Sequence, residues 1–230
     1  VTITGTGEFK LEWDAPITGS APTFYLVRTS SDGLAFDSGR VATTTSATFS
    51  NVAANKVYHF TVQAGNAHGM SLASEVISVR MPQNASDKKL LIVNGFDRLD
   101  NRVNFVTNYD KRAVSPQIER GNTFNHTPTY LKAVVGSTRP WSVASCANEA
   151  ITKGRVNLSA YDAVIWYTGR ESWSDETFSY AEQQKVSDYL NAGGRMIITG
   201  SEIGWDLAAQ SIGNTHANDL TFLENILRTR

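Results

Sequence analysis

The sequence predicts two domains of different class: an all-β sandwich over residues 1–82, a polar linker at 83–88, and a three-layer α/β domain with a mainly parallel sheet over 89–230. Three observations carry this reading. Up to about residue 80, apolar and polar side chains alternate in short bursts punctuated by Gly, Ser, Asn, Asp and Pro, the period of strands that bury one face. From Lys88 onward, continuous apolar runs alternate with stretches of helical period, as a parallel sheet covered by helices on both faces requires. Between the two, the segment from Pro82 to Lys89 is polar and opens with a proline where the last sandwich strand must end.

In the first half, strands are expected at 9–16, 23–30, 34–41, 46–52, 57–66 and 75–82, with turn signals at 17–22, 30–33, 52–56 and 66–74. Six or seven short strands without an intervening helix make a sandwich. In the second half, the apolar runs at 90–93, 163–167 and 196–199 are the expected parallel strands. The clearest helix covers 179–191, where Ala181, Lys185, Val186, Tyr189 and Leu190 follow helical spacing. Ser174 or Ser179 caps its start, and Gly193 and Gly194 supply a left-handed stop. Strand, helix and strand over 163–199 form a βαβ unit with a right-handed crossover. Further helices are expected at 129–135 and 219–227. A doubly wound sheet normally continues from such a helix into another strand, so the chain is expected to extend beyond Arg230, and Val1 is not expected to be a gene start.

Composition narrows the function. Lys plus Arg number 21 and Asp plus Glu 22, a net charge of −1, which sets up no field to gather nucleic acid or anionic lipid. No apolar run reaches the roughly eighteen residues needed to cross a bilayer, so neither nucleic acid nor membrane insertion is expected. Cys146 is the single cysteine, which excludes an internal disulfide framework and a cysteine-rich metal site. His59, His68, His126 and His216 are scattered, with no zinc-ligand spacing. Neither a Walker loop nor a G-x-G-x-x-G follows the first parallel strand, so no cofactor is expected, and no metal site is read from the sequence, a carboxylate-bound Mg or Ca ion being the alternative left open.

In an open parallel sheet ligands bind beyond the carboxyl ends of the strands. Three segments follow the apolar runs: 94–98, 169–173 and 200–206. One shared edge would gather Asp97, Glu171, Glu202 and Asp206 as acid, base or cation ligand. Asn94, Arg98, Arg170, Trp173, Ser201 and Trp205 would bind substrate, the guanidiniums holding anionic groups and the indoles stacking on a sugar ring. The same residues also have a structural use: Ser174 and Ser201 as helix caps, Asp175 and Glu202 at positive helix N-termini, Arg98 and Arg170 neutralising neighbours. The Ser201 turn reads G-S-x-x-G rather than G-x-S-x-G, which weighs against an elbow serine, and a lone Cys146 is more readily a packing residue than a nucleophile.

Leu11, Trp13, Pro16, Tyr25, Tyr58 and the run from Tyr58 to Ser74 resemble a fibronectin type III domain, with Trp13 in the second strand filling the space between sheets and Tyr58 tying a corner through its hydroxyl. The segments at 90–98, 148–151, 161–172 and 175–207 resemble secreted, multi-domain bacterial proteins of xanthan lyase-like and N-acetylmuramoyl-L-alanine amidase-like type. That resemblance implies a flavodoxin-like or class I glutamine amidotransferase-like α/β domain, a strand-end site, and a secreted or envelope-associated setting, extracellular or periplasmic. The nucleophilic Cys of an amidotransferase has no counterpart, because the turn after 163–168 reads Gly169-Arg170-Glu171. The functional expectation is a domain that binds or cleaves a polysaccharide or peptidoglycan component, as a hydrolase or lyase. Its alternative is a non-catalytic docking or adhesion module for other domains of the same polypeptide.

Overall fold

A computed structural model describes residues 1–98, 125–172, 175–208 and 218–228. The sandwich half begins with β1 (Thr2–Gly5), β2 (Glu8–Glu12), β3 (Phe24–Ser30) and β4 (Arg40–Ala42). It continues with β5 (Ser46–Ser50), β6 (Val57–Asn66), the two-residue β7 (Gly69–Met70) and β8 (Ile77–Arg80). β1, β2 and β5 make one antiparallel sheet, and β4, β3, β6 and β8 lie in the other, with β7 paired to β6. Alternate residues fill the gap between sheets: Phe9, Leu11, Val27, Phe60 and Val79 are buried, and Phe9 stacks on Phe49 at 4.9 Å. Trp13 lies one residue past the end of β2 rather than inside it, with its ring edge-on to Tyr25. The Tyr58 hydroxyl accepts the Ala53 amide at 3.3 Å, closing the expected corner. The strand expected at 34–41 is shorter, because Asp37 Oδ1 accepts the Thr29 and Gly39 amides and holds the preceding residues as a loop.

The second half contributes β9 (Lys88–Asn94), α1 (Thr127–Val135), β10 (Trp141–Ala147), α2 (Glu149–Thr152), β11 (Ala163–Gly169), α3 (Tyr180–Asn191), β12 (Met196–Gly200), α4 (Ile203–Ala208) and α5 (Asp219–Thr221), which runs into a π-helical turn over Phe222–Ile226. β12, β11, β9 and β10 are parallel neighbours in that order. Leu90, Ile92, Val143 and Tyr167 face α1 through Leu131. Leu91, Val93, Val164 and Trp166 face α3 and the last helix through Val186, Tyr189 and Phe222. In α3, Glu182 Oε2 accepts the Ser179 amide at 2.7 Å and Gly193 turns left-handed (φ +87°), matching the start and stop expected from sequence.

The two halves share a sheet. β10 pairs antiparallel with β8 at Val143 and Arg80, so the sandwich sheet runs on into the parallel one and gives a mixed, 9-stranded sheet among the described residues. Of the expected linker at 83–88, residues 83–87 form a compact turn in which Asp87 Oδ2 accepts the Gln83 and Asn84 amides at 2.7 and 3.1 Å, and Lys88 already opens β9. Sequence periodicity allows a short strand ending at Cys146 but does not count β10 among the parallel core strands, because Ser142 and Ser145 break its apolar run. Both are buried, and Ser145 Oγ accepts the Ser78 amide at 2.7 Å while donating to the Ser78 carbonyl at 2.9 Å.

Candidate functional site

Because β9, β10, β11 and β12 all point one way, their carboxyl ends open on a single edge, and the bends at 94–98, 147–149, 169–172 and 200–202 stand side by side. Three backbone bonds set their spacing. Gly95 donates to the Tyr167 carbonyl at 2.9 Å, Asn148 to the Asn94 carbonyl at 2.9 Å, and Ser201 to the Gly169 carbonyl at 2.8 Å. Gly169 sits in the left-handed region (φ +56°) with the Phe96 ring where a Cβ would be, so this bend admits only glycine without rearrangement.

Asp97 and Glu171 meet across the β9 and β11 bends. Glu171 is 3% exposed and its Oε1 accepts the Asp97 amide at 2.6 Å. Burial pushes the Glu171 carboxyl up to about 8, and the nearby Asp97, Glu182 and Asp175 carboxylates add to the shift. Asp97 stands at the exposed rim. Partial desolvation and then the Glu149 carboxylate push it up to about 6, while the Asn148 amide, 3.4 Å from its Oδ2, opposes the shift. At neutral pH the pair therefore holds a protonated acid beside a largely ionised one.

The other expected site residues that the structure describes follow the same strand ends, most of them in different employment. Asn94 is buried, accepting the Phe96 amide at 3.0 Å and donating to Glu75. Arg98 donates to the Arg170 carbonyl at 3.2 Å and pairs with Asp175 at 3.4 Å. Glu202 accepts the Ser172 hydroxyl, and Asp206 accepts the amide and hydroxyl of Thr177 at 2.8 and 2.7 Å. Ser201 donates to the Gly169 carbonyl at 3.1 Å and so braces a bend. Trp205 is 56% exposed on α4, while Trp173 and Ser174 lie outside the described residues. Cys146 is buried on β10, and desolvation pushes its thiol up to about 12, the reverse of an activated nucleophile.

Four site residues were missed. Asn148 and Glu149 follow β10, the strand hidden by its serines. Glu182, in the first turn of α3, accepts Asn148 Nδ2 at 2.8 Å as well as capping its helix. Glu75 belongs to the sandwich half, just before β8, and its contact with Asn94 brings a carboxyl from one half to the strand ends of the other. Desolvation, followed by repulsion from Asp97 and Glu149, pushes Glu75 up to about 8. Nothing in the local sequence around Glu75 signals that it reaches a site nearly twenty residues further along. Among the described residues no group of three His, Cys, Asp or Glu is arranged to hold a metal ion.

The molecule is thus a β-sandwich module fused edge-on to a mixed sheet that carries helices and an acidic strand-end site. Residues 1–80 match the family model of the fibronectin type III domain, and that part of the chain is a fibronectin type III module. Among solved structures, the sixth fibronectin type III domain of a human fibronectin type III domain containing protein is 17% identical, covering 37% of this chain and 81% of that one at a TM-score of 0.34. The fn3 domain of human contactin 1 is 17% identical over 37% of this chain and 74% of that one, at a TM-score of 0.32. The twitchin kinase region from C. elegans is 23% identical over 45% of this chain and 17% of that one, also at a TM-score of 0.32. No curated protein matches the chain. Fibronectin type III modules commonly serve adhesion or docking in multidomain proteins.

Proposed function

We propose that the strand-end edge of the second half binds a polysaccharide or peptidoglycan component and hydrolyses it with Glu171 as general acid and Asp97 as general base, in a protein that works outside a bacterial cell or in its envelope. The observation that carries this reading is the Asp97–Glu171 pair, two neighbouring carboxyls whose proton affinities are split about neutrality. Protonated Glu171 would pass its proton to the oxygen leaving a glycosidic carbon, and ionised Asp97 would take a proton from the attacking water. Trp205, exposed on α4 shortly after the end of β12, would offer a ring for a sugar to stack upon. The setting, and a flavodoxin-like or amidotransferase-like fold, are part of the same proposal and rest on the resemblance carried by the motifs at 93–98 and 200–206.

A second reading, a non-catalytic docking module, is favoured by the local employment of Glu182, Glu202 and Asp206, whose carboxylates serve Ser179, Ser172 and Thr177. Reducing-end release from peptidoglycan and acidic exopolysaccharide fragments separates the two. Glu171→Gln and Asp97→Asn should each lower release by about 100-fold or more while binding persists. Binding without any release by the wild-type chain would leave the docking reading.

A further inference from the structure

β12 is the last strand of the sheet among the described residues, and its outer side has the features of an interface. The Arg195 carbonyl accepts the Val164 amide, so Arg195 and Ile197 turn their backbone groups toward β11, and Met196, Ile198 and Gly200 turn theirs outward. Ile197 is 62% exposed. Apolar hollows flank the strand on both sides of the sheet. One, of about 290 Å³, has Val134, Ile165 and Ile197 in its wall, and the other, of about 450 Å³, has Ile198, Leu223 and Leu227. An edge that no strand covers among the described residues, with apolar flanks, is a template for another strand.

The charges along this edge say which strand. Arg195, exposed at its start, has no ion pair among the described residues, and Glu202, exposed just past its end, accepts only the neutral Ser172 hydroxyl there. An antiparallel copy centred on Ile198 sets Met196 opposite Gly200 and Ile197 opposite Thr199, and brings each Arg195 beside the Ser201–Glu202 bend of its partner, twice about one twofold axis. A parallel partner would set Arg195 near Arg195 and Glu202 near Glu202. We propose that two copies of this chain pair through antiparallel β12 edges, continuing one sheet across a homodimer.

Light scattering on the eluting chain, run over a range of concentrations, tests this. The expected mass is twice that of one chain, falling to one chain for Arg195→Glu at the same concentration and recovering when Glu202→Arg is added. The Ile197→Cys, Thr199→Cys double variant should form an inter-chain disulfide under mild oxidation, with the buried Cys146 unreacted. A monomer at every concentration overturns the proposal. So does a dimer indifferent to Arg195→Glu and without the 197–199 crosslink, whether its interface lies elsewhere or β12 takes up a strand from another source.

Discussion

Glu75 of the fibronectin type III module accepts a hydrogen bond from the Asn94 side-chain amide at the carboxyl end of β9, so the module contributes to the acidic edge of the second half. Its carboxyl is half-buried with Asp97 and Glu149 nearby, and it holds its proton up to about 8 against an ordinary value of 4.5. Glu171 does the same for the same first reason.

The sign of the pH dependence follows. Between pH 4.5 and about 8 the folded chain keeps protons on Glu75 and Glu171 that the unfolded chain has released, so stability falls as pH rises through this window and levels off above it. For buried Glu171 the loss is on the order of 1 kcal/mol or more, which corresponds to a few degrees in Tm. Glu75 contributes in the same direction. Calorimetry from pH 5 to 9 should show the decline, and Glu75→Gln or Glu171→Gln should flatten it.

The junction between the halves should depend more on a buried pair than on exposed ones. Ser145→Ala leaves the Ser78 amide and carbonyl without their partner and should cost about 1–3 kcal/mol in denaturant unfolding. Asp14→Ala breaks ion pairs to Lys153 and Arg155 at 2.7 and 2.6 Å, but all three side chains are well exposed, and the cost should stay below about 1 kcal/mol.

Cys146, 4% exposed with its thiol pushed up to about 12, should resist a mild thiol reagent at neutral pH in the folded chain and react fully in denaturant. Rapid labelling of the native chain would contradict the described packing of β10.

Gly169→Ala should destabilise by about 2 kcal/mol or more, since a Cβ there meets the Phe96 ring and the backbone lies at φ +56°. Trp205→Ala, at an exposed position, should leave the unfolding midpoint within about 0.5 kcal/mol of wild type and weaken carbohydrate binding several-fold if the ring is a stacking platform.

Much of this architecture is written in local patterning. Period-two alternation marks β2, β3, β5 and β6, a capping box and Gly193 delimit α3, and uninterrupted apolar runs mark β9, β11 and β12. These are legible because each depends on residues within a few positions of one another. The placement of 94–98, 169–172 and 200–206 on one edge was also legible, since parallel strands necessarily end together. What sequence by itself did not determine is the merger of the halves and the full membership of the site. β10 is not marked as a core strand because Ser142 and Ser145 interrupt its apolar run and find their partners far along the chain, and Glu75 becomes a site residue only when β8 lies beside β10. Local periodicity reports which face a residue buries, whereas the partner that a buried serine or carboxyl finds across the sheet is chosen by packing between segments far apart in the chain, and only the tertiary structure decides it.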